Sequence, residues 1–293
     1  MFLIIDNWIH NKNKDGLILM LNELDYEYKF GSEEDINNDK WKIIYNPSYP
    51  IDIKKYENIN KIWIFGPHFS VFPNFKFDLI NYKQNNLFYI LPSEWCVNIY
   101  KKYKEYKLNI NLKILNFAVN IKKFNEIKTI ENRINILIYF KHRKKEELNF
   151  VINFLKNNNL NNFRIFDYDQ KYNENDFLNY LHNTKFGIII DAHESQGFAI
   201  QEILSCNIPL LVWNINLLSQ EEGSNYDNYY ATSIPYWDNR CGEYFYNINE
   251  FEEKYKLFIN NLEKYKPREF ILDTLSPKKC AERLKIIISD INS

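Results

Sequence analysis

HESQGFAIQEILSCNIPLLVW, residues 193–213, sets Glu194 and Glu202 eight positions apart between two apolar runs. The preceding FGIIID (186–191) and the closing PLLVW (209–213) read as buried strands, and the residues from Phe198 to Cys206 as a helix. Glu194 then falls just past the carboxyl end of a strand. Glu202 falls a little over one turn into the following helix. Gly197 lets the backbone turn tightly between them. The start of the helix aims its amide N–H groups and the positive end of its dipole beyond the strand, a setting that suits a phosphate. Helical periodicity puts Ile200, Ile203, Leu204 and Asn207 on one face and Glu202 roughly opposite. Taken singly, Glu202 therefore reads as a solvent-facing acid and Glu194 as a loop acid.

Outward from this stretch the same alternation repeats. In the first half FLIID (2–6), YEYKF (26–30), WKIIYNP (41–47), KIWIFGP (61–67), LFYILPS (87–93) and NLKILNF (111–117) read as strands. GLILMLNEL (16–24) and EWCVNIYKKYK (94–104) read as helices. The polar AVNIKKFNEIKTIENR (118–133) interrupts the pattern. Beyond it lie strands at INILIYF (134–140) and FRIFDY (163–168), helices at KKEELNFVINFLKNN (144–158) and ENDFLNYLHNT (174–184), and then the opening stretch. Two C-terminal helices follow over 250–265 and 276–290, the second started by Ser276 as cap and Pro277 at the first helical position. This predicts an α/β protein of two doubly wound, Rossmann-like domains facing an interdomain cleft. The expected boundaries are 1–118, a linker at 119–133, and 134–293, the last helix being free to pack back on the N-terminal domain.

Composition removes several classes. Lys plus Arg total 37 and Asp plus Glu 38, so the chain lacks the basic field of a general nucleic-acid binder. The four cysteines, Cys96, Cys206, Cys241 and Cys280, form no CxxC pair, which argues against a disulfide framework or zinc site and for a reducing compartment. No apolar run reaches the ~18 residues of a membrane helix. MFLIID opens directly as a strand, without a secretory leader. A cytoplasmic protein is expected. No GxGxxG follows a predicted strand, which disfavours a dehydrogenase.

Glu194-Ser195-Gln196-Gly197-Phe198, then Glu202-Ile203-Leu204-Ser205-Cys206-Asn207 and Pro209, resembles the donor-site signature of retaining GT-B glycosyltransferases, particularly family 4. Asn207 stands where the family has Gly, a place where Asn is tolerated because it adopts left-handed backbone. FAVNIKKF (117–124) resembles the family's GVDxxxF segment, and ILIYFKHRKKEEL (136–148) its strand and loop ending in GR…EKG. There an Arg and a Lys neutralise the donor pyrophosphate. Here Phe140 and Lys141 replace Gly and Arg, and Arg143, Lys144 and Lys145 follow. Lys141 and Arg143, directly after the strand, are the candidates for that role. LPSEWCVNIYKKY (91–103) resembles the PSxWvxxxY helix start, with Ser93 as its cap. His68, in GPHFSVFP (66–73), is the candidate for the first-domain His that family members place near the donor sugar.

The resemblance implies transfer of a hexose or pentose from a nucleotide-diphosphate donor to a hydroxyl of a glycan or glycoconjugate, with retention and without cofactor or metal. Glu194 and His68 would be catalytic. Lys141, Arg143, Gly197, Phe198 and Glu202 would bind the donor, Glu202 through the ribose hydroxyls and Gly197 and Phe198 through backbone amides to the sugar. Two alternatives stay open: another GT-B chemistry such as a nucleotide-sugar epimerase, and a non-catalytic module that kept the fold. DYD (167–169) resembles the metal-binding DxD of GT-A enzymes, but its context favours a strand-end loop. ATSIPYWDNRCGEYFYN (231–247), with Tyr236, Trp237 and Tyr244, reads as structural before functional.

Overall fold

A computed structural model describes residues 1–56, 59–68, 71–73, 86–102, 111–226 and 228–290. They form two compact units, Met1–Asn120 with Leu275–Ser293, and Ile121–Thr274. Unit 1 carries six parallel strands: β1 (Phe2–Ile5), β2 (Tyr28–Gly31), β3 (Ile43–Ser48), β4 (Ile62–His68), β5 (Leu87–Leu91) and β6 (Asn111–Ile114). Their order is β2-β1-β3-β4-β5-β6. Helices α1 (Asn11–Glu23) and α2 (Glu94–Lys102) belong to it. Tyr103 and Lys104, at the end of the helix expected over 94–104, lie outside the described residues. Ser93 starts α2 through its carbonyl, which accepts from Val97 N–H, while its hydroxyl donates to Cys96 Sγ.

Unit 2 has five parallel strands, β7 (Asn135–Lys141), β8 (Phe163–Asp167), β9 (Thr184–Asp191), β10 (Leu210–Trp213) and β11 (Gly242–Phe245), in the order β11-β10-β9-β7-β8. Five helices accompany them: α3 (Lys145–Asn157), α4 (Glu174–Leu181), α5 (Phe198–Ser205), α6 (Phe251–Asn260) and α7 (Pro267–Thr274). The central strands are buried along their length, as apolar runs in a doubly covered parallel sheet must be. Alternation then assigns the faces. Ile136, Ile138 and Phe140 of β7 pack with Val151 and Leu155 of α3 and Phe251 and Phe258 of α6.

The last helix, α8 (Pro277–Ser289), belongs to unit 1 and packs on α1. Ser276 Oγ accepts from Lys279 N–H and Pro277 fills the first turn, as its sequence predicts. Residues 121–133, read as linker, pack within unit 2. Arg268 of α7 donates to the Ile121 and Phe124 carbonyls, and Ser205 of α5 donates to the latter as well.

Two elements escape the sequence reading. β11 is four residues inside the aromatic stretch 231–247, and α7 directly precedes α8. Gly242 opens β11 at φ +134°, and a Cβ there would come within 2.0 Å of the Leu210 carbonyl oxygen, so only glycine fits. Among the described residues no helix is long and apolar enough to cross a membrane.

Candidate functional site

The strand order of unit 2 reverses between β7 and β9, the place where open α/β sheets bind ligands. Lys141 ends β7 and Asp191 ends β9, and the two are partners in register. Glu194 lies three residues on, and its Oε1 is ion-paired with Lys141 Nζ, both side chains being 14% exposed. The ammonium also sits 4.8 Å from the Tyr168 ring centroid. Burial alone would discharge both members of the pair. Their mutual attraction outweighs it, so Glu194 stays below the usual carboxylate range and Lys141 above the usual amine range. Asp191 is fully buried beside them. Burial first, and then the Glu194 charge, raise its pKa well above the carboxylate range, which favours its neutral form.

The loop carrying Glu194 is strapped down by residues 231–234. Glu194 N–H donates to the Thr232 carbonyl at 3.0 Å, and Ser233 Oγ donates to the Asp191 and Ala192 carbonyls at 2.9 and 2.7 Å. Asn214 Oδ1 in turn accepts from Thr232 Oγ1 and Ser233 N–H. Gly197 then turns the chain into α5 at φ +82°, in the left-handed region, and Asn207 closes the helix at φ +57°, both as the sequence implies. Phe198 is the first residue of α5.

Glu202 departs from the periodicity argument. It is 6% exposed, because α5 is buried on every side from Ile200 to Ser205. Tyr172 senses both glutamates: burial, then Glu202 and Glu194, push its hydroxyl up to about 12 against a bond from Tyr139. Tyr172 lies in a connection that sequence patterning reads only as loop, and Tyr168, read as the last residue of a strand, opens a 3-10 turn one residue past its end.

A second layer surrounds the pair. Glu221, between β10 and β11, joins His193 Nδ1 at 2.6 Å and His142 Nδ1 at 3.2 Å. His142 Nε2 meets Asp169 at 3.2 Å, and the His142 carbonyl accepts from Glu222 N–H. Burial would raise Glu221, but His193 and His142 hold it below the usual range. Nothing in sequence spacing marks Glu221, which reaches the site only through the loop's return.

Arg143 does not join them. Its buried guanidinium forms a double hydrogen bond with Glu147 and donates to the Asp191 and Trp213 carbonyls, bracing β9 and β10 from within. Lys145 pairs with Asp167. DYD is a strand end and a 3-10 turn, with Asp167 capping it by accepting from Asp169 N–H. Among the described residues no group of His, Cys, Asp and Glu is arranged to hold a metal ion. His68 belongs to unit 1. Its Nδ1 is 2.8 Å from the Tyr89 hydroxyl, and burial lowers it to about 3, which keeps the ring neutral. Phe69 and Ser70 of the same loop lie outside the described residues.

No protein-family model and no curated protein matches the chain. Solved structures do match it. Sucrose-phosphate synthase from Thermosynechococcus elongatus superposes with a TM-score of 0.52 at 8% identity, over 87% of this chain and 75% of that one. The GtfA/B complex superposes with a TM-score of 0.51 at 10% identity, over 85% of this chain and 57% of that one. The chain thus spans little more than half of the second. At such identities the likeness is one of fold: two parallel sheets with alternating helices, the GT-B architecture.

Proposed function

We propose that this chain is a retaining glycosyltransferase that moves a sugar from a nucleoside-diphosphate donor to a hydroxyl of a glycan or glycoconjugate. The observation that carries the reading is the Lys141–Glu194 pair at the β7/β9 reversal, followed by the Gly197 turn and the buried Glu202. The departing diphosphate gains negative charge. Lys141 and the amides that open α5 would meet it, each such preorganised donor being worth about 2.7–4 kcal/mol in the transition state. An arriving diphosphate competes with Glu194 for Lys141, which releases the carboxylate to accept from the sugar hydroxyls. A neutral Asp191 adds no charge to oppose the anionic donor. Glu202 would accept from the ribose hydroxyls, and Gly197 and Phe198 would offer amides to the sugar. In this reading the positive charge comes from the protein and not from a divalent metal, so a chelator leaves turnover unchanged.

The test is a panel of nucleotide sugars, with hydrolysis and transfer measured alongside nucleotide binding by calorimetry. Glu194→Ala lowers turnover with binding kept, and Glu202→Ala weakens nucleotide binding. Unimpaired activity in both variants removes the assignment. The inward turn of Arg143 favours a second reading, a GT-B module that binds a nucleotide without turnover. Binding without hydrolysis or transfer of any donor selects it.

A further inference from the structure

The aromatic stretch 231–247 is not used up by the strap that holds Glu194. Trp237 and Tyr244 lie ring to edge with centroids 6.5 Å apart, and Tyr244 and Tyr246 likewise at 5.7 Å. Burial, then Tyr244 and Tyr230, raise the Tyr246 hydroxyl. Tyr244 and Tyr246 are two apart along the edge strand β11 and its continuation, so they project from one face, while Phe245 points the other way into the core. Tyr230, Tyr244 and Tyr246 remain 52%, 40% and 36% exposed.

The backbone that carries these rings is anchored. The Tyr246 carbonyl accepts from Trp213 Nε1 at 3.2 Å, its N–H donates to Glu250 at 3.0 Å, and the adjoining Phe245 carbonyl accepts from Asn214 N–H at 2.9 Å. Asn214 is the residue that holds Thr232 and Ser233, and through them the Glu194 loop. Tyr230 pairs with Leu217 at the base of the excursion that carries Glu221 to His193. Because all five strands are parallel, β11 ends at the same end of the sheet as Lys141 and Glu194.

We propose that Trp237, Tyr244 and Tyr246 form a strip that binds an oligosaccharide, holding sugars of an acceptor glycan beyond the one that reacts. The word acceptor rests on the glycosyl-transfer reading, whereas saccharide binding does not. The C–H face of a pyranose carries slight positive charge and stacks on the negative face of an aromatic ring. Tyrosine hydroxyls at the margin meet the sugar's own hydroxyls. Fixed rings lose little freedom on binding, and a row of them gains strength from a chain of sugars where one sugar is held weakly. Glu250, which accepts from Tyr246 N–H beside the strip, disfavours an anionic lipid surface or a nucleic acid.

The probe is an array of immobilised neutral oligosaccharides of graded length. Wild-type protein is expected to be retained on at least one series, more tightly as the chain lengthens. Tyr244→Ala and Trp237→Ala should each lower affinity for the longest members about tenfold or more, with nucleotide binding and the melting temperature unchanged. Tyr244 is exposed, so its truncation keeps the claim open to refutation even where Trp237→Ala fails to fold. Retention of no series, equal retention of Tyr244→Ala, or retention independent of length overturns the proposal. So does a dimer seen by light scattering that Tyr244→Ala dissolves without changing glycan retention. Strip-dependent glycan retention with no turnover of any donor would sink the transferase reading and leave this one standing. Turnover without retention does the reverse.

Discussion

Lys141 and Glu194 stabilise each other in a site where neither would stay charged alone. Removing one partner of a buried pair leaves the other uncompensated, which costs about 3–5 kcal/mol. Lys141→Met should therefore lower stability to urea by about that amount, and adding Glu194→Gln should restore most of it. Equal stability of the single and double variants refutes the pairing. Asp191 makes the opposite pH argument. Its folded pKa is raised, so the native state keeps a proton that the unfolded chain releases. Its contribution is complete below the ordinary carboxylate value and is lost as pH rises through the folded one. Glu194, whose folded pKa is lowered, contributes above the ordinary value and loses that contribution as pH falls. Asp191→Asn never ionises, so its melting temperature should gain on wild type as pH rises. Parallel curves would refute a neutral Asp191. At this scale the place of Glu194 past a strand end and the left-handed turns at Gly197 and Asn207 were legible, because apolar runs and backbone chemistry specify them. Arg143 was not, since only Glu147 and two carbonyls on other strands turn it inward.

Among elements, the β9–α5 connection depends on a strap from a distant part of the chain. Ser233 Oγ serves two buried carbonyls, and since Arg143 also donates to that of Asp191, its loss leaves the Ala192 carbonyl short of a donor at about 1–3 kcal/mol. Ser233→Ala should destabilise by that order and loosen the loop. Hydrogen exchange at the Glu194 amide, bonded to Thr232, should then quicken while the amides of β7 keep their protection. Unchanged exchange at Glu194 would show that the strap is dispensable. The strap was legible only as an unusual stretch, since its partners lie 18 to 42 positions away. β11 was hidden in the same stretch: four residues rich in tyrosine give no alternation strong enough to separate strand from loop. Longer apolar runs such as β7 and β9 were readable, because both faces of a central parallel strand must be buried.

Over the whole molecule, alternation foretold two α/β units, but strand order and the path of the chain depend on crossovers that no local pattern records. Both sheets place their first strand between the second and third, so the reversal lies between β1 and β3 in one unit and β7 and β9 in the other. The chain leaves unit 1 at Asn120 and returns at Leu275, so unit 1 is closed by its own last helix. Cys280, Ala281, Leu284 and Ile287 of α8 are buried, Asn116 bonds Cys280 Sγ and Arg283, and Lys113 pairs with Asp290. Truncating the buried Leu284 removes apolar contacts and leaves a cavity in unit 1, a change that costs about 2–5 kcal/mol. That loss falls on unit 1 alone if each unit has its own core, as the two separate sheets imply. Leu284→Ala should therefore speed amide exchange in β1 and β3 by a factor on the order of 30 or more and leave β7, β9 and β10 protected. The nucleotide binding proposed for unit 2 should survive it. Equal loss of protection in β7 and β9 would mean that the two units unfold as one.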